Sequence, residues 1–345
     1  MTMNVTQDKE QKMVVLSVGH AHTLAVKYAL AQDYENLQSI ADIVLNSANM
    51  FGRAAEYHNL GAEYARQDDY YNAFRVVEKG LQQYPNDIDL LANAIHYGSF
   101  CGKNAECEEY KARLKTRPRG AWNWRAFTFL IDYLKERAEM APIENIMELL
   151  DEALATAEEY QRVLPLEEKG YIAEFEVRRI RQRYIRESQS PDAERDADEE
   201  YQAAKSALKR ALDNNTIVAV QCALSYADLV FEERKYEETV DVCAKALGYI
   251  ETQPSARITY FKYLSALSKD AMIRKDRAFA DLKRVDEVLG EFLVVYQIIG
   301  EPTYENNVKN RAALLAAEAK IPLPNGFDEG PDSVRSLLAR FGSGR

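Results

Sequence analysis

Residues Ala54 to Asp87 constrain this chain more than any other stretch. Tyr57, Leu60, Gly61 and Tyr64 recur at the i, i+3, i+4, i+7 spacing that gathers them on one face of an amphipathic helix. Gln67-Asp68-Asp69 is polar and reads as a turn. Ala73, Val77, Gly80 and Leu81 then mark the face of a second helix, which Pro85-Asn86 ends. Small residues at Gly61 and Ala73 let two helix backbones approach closely, while Tyr57, Tyr64 and Tyr70 fill the gaps. A helix pair this short buries its apolar faces only against neighbours of the same kind.

In these residues the stretch resembles the tetratricopeptide repeat, a helix pair of about 34 residues. The match covers the positions that the repeat reserves for a bulky aromatic, Leu-Gly, Tyr, Ala, a bulky apolar residue, a small residue and Pro. The resemblance implies an all-α fold, a right-handed α-solenoid superhelix of about seven to eight antiparallel helix pairs. It implies binding and no chemistry.

Echoes of the second-helix pattern, a turn residue followed by small or apolar residues, run along the chain. They begin at Tyr34, Tyr70, Asn104, Ile143, Tyr201, Tyr236 and Lys275, and Lys111 breaks the copy that starts at Asn104. The interval from 143 to 201 is too long for one pair. It holds a long helix, about Leu166 to Glu187, then SQSPDAERDADEE, which reads as a polar, acidic loop over 188–200. The expected organisation is N-terminal repeats over 1–120, longer diverged pairs over 121–213 with the acidic insertion, further repeats over 214–299, and a capping helix and tail over 300–345. Thr303 to Lys320 reads as the cap, followed by a Pro- and Gly-rich loop and a short amphipathic tail, Asp332 to Phe341. Strand-like alternation is not expected anywhere.

Composition narrows the function. With 47% hydrophobic residues the chain of 345 can bury a large core, and a formal net charge of -11 disfavours general affinity for nucleic acid or anionic lipid. No run of about 18 apolar residues offers a membrane span. The N-terminus lacks a cationic segment before its apolar patch, which argues against a secretory signal. Cys101, Cys107, Cys222 and Cys243 show no C-x-x-C spacing and read as small buried thiols in a reducing compartment. Phosphate-loop, dinucleotide, zinc-protease and serine-hydrolase patterns are all missing, so neither an enzyme nor a cofactor is expected.

The resemblance assigns certain positions of each first helix to an inner groove. Carried over, it places His22, His58, Asn59, Arg66, Asn93 and His96 there. Asn59 and Asn93 hold the same repeat position, where the family often uses Asn to hydrogen-bond an extended peptide. Arg66 is the partner expected for an acidic group on that peptide. Three of the chain's four histidines fall at groove positions, at the spacing of the repeat and not of a metal site. A second feature is basic and aromatic: Lys111, Arg113, Lys115, Arg117, Arg119 and Arg125, with Trp122 and Trp124 among them. Interleaved Trp and Arg can stack on and neutralise a single strand, and they can equally build a salt-bridged corner between helix pairs. The arginine helix around 175–187 carries Arg179, Arg183 and Arg186 on one stripe. The acidic residues after it either fold back to neutralise that stripe or form a flap over it.

The sequence therefore points to a cytoplasmic, non-catalytic scaffold or adaptor that holds a partner peptide or helix. A regulatory module responding to a signal peptide and a nucleic-acid scaffold using the Trp/Arg corner are the alternatives. Self-association through the C-terminal tail is compatible with either.

Overall fold

The computed structural model describes residues 3–5, 13–15, 17–47, 51–188, 190–214, 220–251, 258–298 and 302–327. Two short strands, β1 (Met3–Val5) and β2 (Met13–Val15), pair antiparallel with Met3 opposite Val15. This ribbon is the one departure from the all-helical expectation. All other regular structure among the described residues is helical. It falls into two compact units, Met1–Tyr201 and Gln202–Arg345.

In the first unit, α1 (Val18–Leu30), α2 (Tyr34–Asn46), α3 (Ala54–Arg66), α4 (Tyr70–Gln83), α5 (Ile88–Phe100) and α6 (Asn104–Lys115) form three pairs of near-equal length. Longer helices follow: α7 (Trp124–Met140), α8 (Ile143–Val163), α9 (Glu168–Glu187) and α10 (Ala193–Asp213), which runs across the boundary into the second unit. The second unit continues with α11 (Val220–Glu232), α12 (Tyr236–Glu251), α13 (Ile258–Asp276), α14 (Leu282–Ile298) and α15 (Pro302–Ala319). No helix among the described residues is long and apolar enough to cross a membrane.

The turn inside five of the pairs, α1–α2, α3–α4, α5–α6, α11–α12 and α13–α14, has one construction. Gln32, Asp68, Gly102, Arg234 and Arg277 all take positive φ, between 52° and 68°. In each case the next residue's N–H reaches back to the carbonyl five residues earlier: Asp33 to Tyr28, Asp69 to Tyr64, Lys103 to Gly98, Lys235 to Val230 and Ala278 to Ile273. This closes the first helix with a left-handed residue and satisfies its last carbonyls. Asp33 and Asp69 then cap the second helix, each accepting from the N–H three residues on, a cap that contributes about 1 kcal/mol.

Close approach at the glycines follows from the packing. A Cβ on Gly61 would stand 2.7 Å from Val77 Cγ2 and 3.3 Å from the Ala73 carbonyl. One on Gly80 would stand 2.8 Å from Tyr57 Cβ. Side chains one repeat apart are hydrogen-bonded: Asn72 donates to Gln38 at 2.8 Å, Asn123 to Asp89 at 2.7 Å, and Lys79 to the Leu45 carbonyl at 3.4 Å. α1, α3, α5 and α7 each pack on their own partner and on the next first helix, so α1, α3, α5, α7 and α9 form a row.

Three expectations are corrected. The acidic stretch over 188–200 is not a loop: α10 starts at Ala193, because Ala193, Ala197, Ala204 and Ala211 are buried at helical spacing. The acids Glu194 and Asp196 occupy its first turn, where the helix dipole favours negative charge. Polarity alone hid this alanine stripe. The final second helix opens at Leu282 and not at Lys275, since α13 continues to Asp276 and the left-handed turn comes at Arg277. The two starts are a heptad apart, so a helical stripe fits either register, but Leu282 is exposed and the buried face is Val285, Val288, Leu289 and Phe292. On α6, Lys111 interrupts nothing: the buried face is Cys107, Tyr110 and Leu114. The capping helix is α15, burying Val308, Ala312, Leu315 and Ala316, and Phe327 beyond it packs on Tyr296. The tail Asp332 to Phe341 lies outside the described residues.

Candidate functional site

The row of first helices in the first unit carries the residues expected to line a groove. His22, on α1, is within electrostatic reach of Glu63 and Arg66 of α3. Arg66 is ion-paired with the buried Glu63. His58, also on α3, is hydrogen-bonded through Nδ1 to the amide of Asn93 on α5. The two equivalent asparagines thus differ: Asn59 is exposed, while Asn93 is buried and engaged by His58.

His96, one turn further along α5, lies flat against Phe129 of α7, with ring centroids 4.1 Å apart and planes 7° from parallel. Phe100 meets its edge at 5.2 Å and is itself stacked on Tyr70 at 4.3 Å. Trp124 meets Phe129 edge-on with ring centroids 6.4 Å apart, and Arg125 and Lys169 sit over the indole at 4.8 and 3.5 Å. Offset and edge-on aromatic contacts of this kind, with cations over a ring face, add to plain area burial. Burial lowers the pKa of all three imidazoles, against the opposing pull of Glu63 on His22, Asp89 on His58 and Asp132 on His96. Near neutral pH the row is therefore uncharged at its histidines, and it ends in Arg125 and Lys169.

The basic and aromatic segment is divided between two surroundings. Trp122 is buried against Phe127, with the Arg119 guanidinium 3.9 Å over its ring. Lys111 pairs with Glu108 at 2.6 Å and Lys115 with Glu152 at 2.7 Å. Arg113 donates to the Pro85 carbonyl, and Arg117 to Thr116. Trp124 and Arg125 belong instead to the first-helix row, where Arg125 lies 3.8 Å from Asp89. The six cations and two indoles do not form one continuous patch.

On α9 the acidic residues do fold back. Glu200 accepts from both Arg178 and Arg181, and Arg186 lies within 4 Å of Glu194 and Asp198. Arg178 and Arg181, which the stripe of Arg179, Arg183 and Arg186 leaves out, make the less exposed pairs. Among the described residues no three His, Cys, Asp or Glu side chains are grouped to hold a metal ion.

Sequence reasoning missed the aromatic continuation of the row, Tyr70, Phe100 and Phe129. It also missed a charged cluster in the second unit. There Tyr263 donates to Asp228 at 2.6 Å, Arg311 donates to the same oxygen at 2.8 Å, and Arg274 binds Asp270 at 2.8 Å. The i, i+4 spacing of Asp270 and Arg274, and Arg311 standing among apolar α15 residues, were the available signals.

No protein-family model matches the chain, and no curated protein matches it in sequence. Similar solved structures include a thermophilic TPR protein of Thermus thermophilus, 19% identical, covering 60% of this chain and 96% of its own, with a TM-score of 0.41. Human IFIT1, solved as a dimer with PPP-AAAA, is 13% identical over 82% of this chain and 69% of its own, also at 0.41. Likeness at that level carries no function across. The turns, close-packed glycines and one-repeat hydrogen bonds of the chain itself make it a tetratricopeptide-like array of helix pairs.

Proposed function

We propose that the chain is a cytoplasmic, non-catalytic scaffold whose first unit holds a partner peptide or helix along the row α1–α9. The observation that carries this is the half-buried ring cluster of His96, Phe129 and Trp124, with His58 tied to the same helix as His96 through Asn93. Rigid rings already packed on one another lose little freedom when a partner covers them. Phe100, 52% exposed at the edge of the cluster, is an apolar side chain left open to such a partner. The cluster suits an extended segment or helix bearing apolar side chains, with an acidic group meeting Arg125 and Lys169 at one end. Exposed Asn59 supplies an amide for its backbone. Four free thiols accord with the cytoplasmic placement.

Capture from native extract followed by mass spectrometry identifies the partner segment, which is then made synthetically and titrated. Phe100→Ala and Asn59→Ala should each weaken binding, with little dependence on salt. Binding that survives both changes, falls steeply with salt and is lost in Arg117→Glu would replace this reading with a nucleic-acid or acidic-surface scaffold.

A further inference from the structure

The second unit contains a cavity of about 840 Å³ that the peptide reading leaves unused. It lies against α11, α13 and α15 and the turns that close the first two. Four guanidiniums line it, those of Arg234, Arg274, Arg277 and Arg311. The carboxylates in its wall already have partners: Asp228 and Glu232 are held by Arg311, and Glu318 by Arg274. Arg234 and Arg277 have no carboxylate partner among the described residues, so the mouth keeps positive charge. They are the left-handed residues of two successive turns, and the repeat brings them to one cavity.

Within the cavity, Arg274 is 6% exposed at its side chain. Its Nε binds Asp270 and its Nη1 binds Glu318, but Nη2 is buried with no hydrogen-bond partner. An unsatisfied donor on a buried charged group is costly, and an incoming acceptor recovers that cost. Asn307 and Asn310 add two amides from α15, while Phe279, Tyr236 and Leu314 supply apolar wall.

We propose that this cavity binds the oxyanion head of a small amphipathic ligand, a carboxylate or phosphate on an apolar or aromatic body. The head sits on Arg274, Arg277 and Arg234, and the body on Phe279 and Leu314. A cation would meet uncompensated guanidiniums, and a neutral ligand would leave Nη2 of Arg274 with a weaker partner. The volume is within the usual range of about 300–1,000 Å³ for small-molecule sites.

Three probes share one ring and differ in the head: phenyl phosphate, benzoate and benzamide, each titrated against the full chain by ligand-observed NMR. Both anions, or one of them, should bind about tenfold or more tightly than benzamide. Phenyl phosphate ahead of benzoate assigns a phosphate head, and the reverse a carboxylate. The double variant Arg234→Gln/Arg277→Gln should lose about tenfold of that affinity. It places at both turns the residue that Gln32 already supplies at φ 55°, so the fold is kept. Benzamide binding as well as the anions, no binding by either anion, or anion binding unchanged in the double variant would overturn the assignment.

Discussion

The two units share a construction and differ in what it holds. Both close their helix pairs with the same left-handed turn, at Gln32, Asp68 and Gly102 in one and at Arg234 and Arg277 in the other. Both use a lysine on a second helix to reach a carbonyl about one repeat back, Lys79 to Leu45 and Lys245 to Leu212. Yet α5 of the first unit sets a half-buried imidazole, His96, among rings, whereas α13 of the second buries the Arg274 guanidinium beside the Asp270 carboxylate. The backbone plan sets where side chains point. The identities at those positions set whether the surface is neutral and aromatic or charged.

The largest expected effect tests the charged interior. Asp270→Ala removes the carboxylate beside Arg274, both side chains being under 10% exposed. Breaking one side of a buried pair should cost about 3–5 kcal/mol, measured by urea denaturation with tryptophan-independent far-UV detection. A loss below about 1 kcal/mol would place that pair with ordinary surface ion pairs and leave the second unit without a distinct charged interior.

Next comes close packing in the first unit. Gly80→Ala sets a methyl 2.8 Å from Tyr57 Cβ and 2.9 Å from its Cγ, neither at the flexible end of a side chain. Overpacking of about 1–3 kcal/mol, offset by about 1 kcal/mol of helix propensity, should leave a net loss of about 1 kcal/mol. A raised Tm would show that α3 and α4 have room to separate.

Acidification should act with opposite sign on the two interiors. Burial lowers His96 below 6.5, so the folded state disfavours the proton, and the contribution present above 6.5 is lost as pH falls through the folded value. Burial outweighs Arg274 at Asp270 and pushes it from 3.8 up to about 6, so its contribution is present below 3.8 and lost as pH rises through about 6. Comparing denaturation of the parent chain with His96→Phe and Asp270→Asn at about pH 7.5 and about pH 5 separates the two. His96→Phe should lessen the acid loss while keeping a ring against Phe129. Asp270→Asn should remove a gain on acidification. Parallel slopes in all three chains would contradict the contrast.

The smallest effect tests the shared turn. Asp68→Gly and Arg277→Gly relieve a left-handed side-chain conformation, and each should stabilise its own unit by about 0.5–1 kcal/mol. Unequal gains would show that the turns, alike in backbone, carry different strain.

Local pattern made much of this legible. The starts of α2, α4, α6, α8 and α12 fall on the residues that the repeat phase marks, because turn chemistry and a 3.6-residue stripe are written within a few adjacent residues. The start of α10 was hidden because alanines at 193, 197 and 204 resemble a polar run when flanked by six acids. The start of α14 was ambiguous because a helical stripe repeats after a heptad. The first error left the buried face at Ala204, Leu208 and Ala211. The second moved it, since Leu282 is exposed and Val285, Val288, Leu289 and Phe292 are buried instead.

The site divides the same way. Repeat register alone brings His22, His58, Asn93 and His96 to neighbouring first helices, since it depends only on spacing. That His58 engages Asn93 and leaves Asn59 open depends on which helix stands alongside. The stacking of His96 on Phe129, and the separation of Trp122 from Trp124, depend on it too. So does the meeting of Arg234, Arg274, Arg277 and Arg311, drawn from residues over 70 positions apart by the packing of α11, α13 and α15. Most helix pairs, their turns and their apolar faces follow from adjacent residues alone, because those interactions are local. Which polar groups are buried together follows only from how the helices pack, because burial is a property of neighbours and not of the residue.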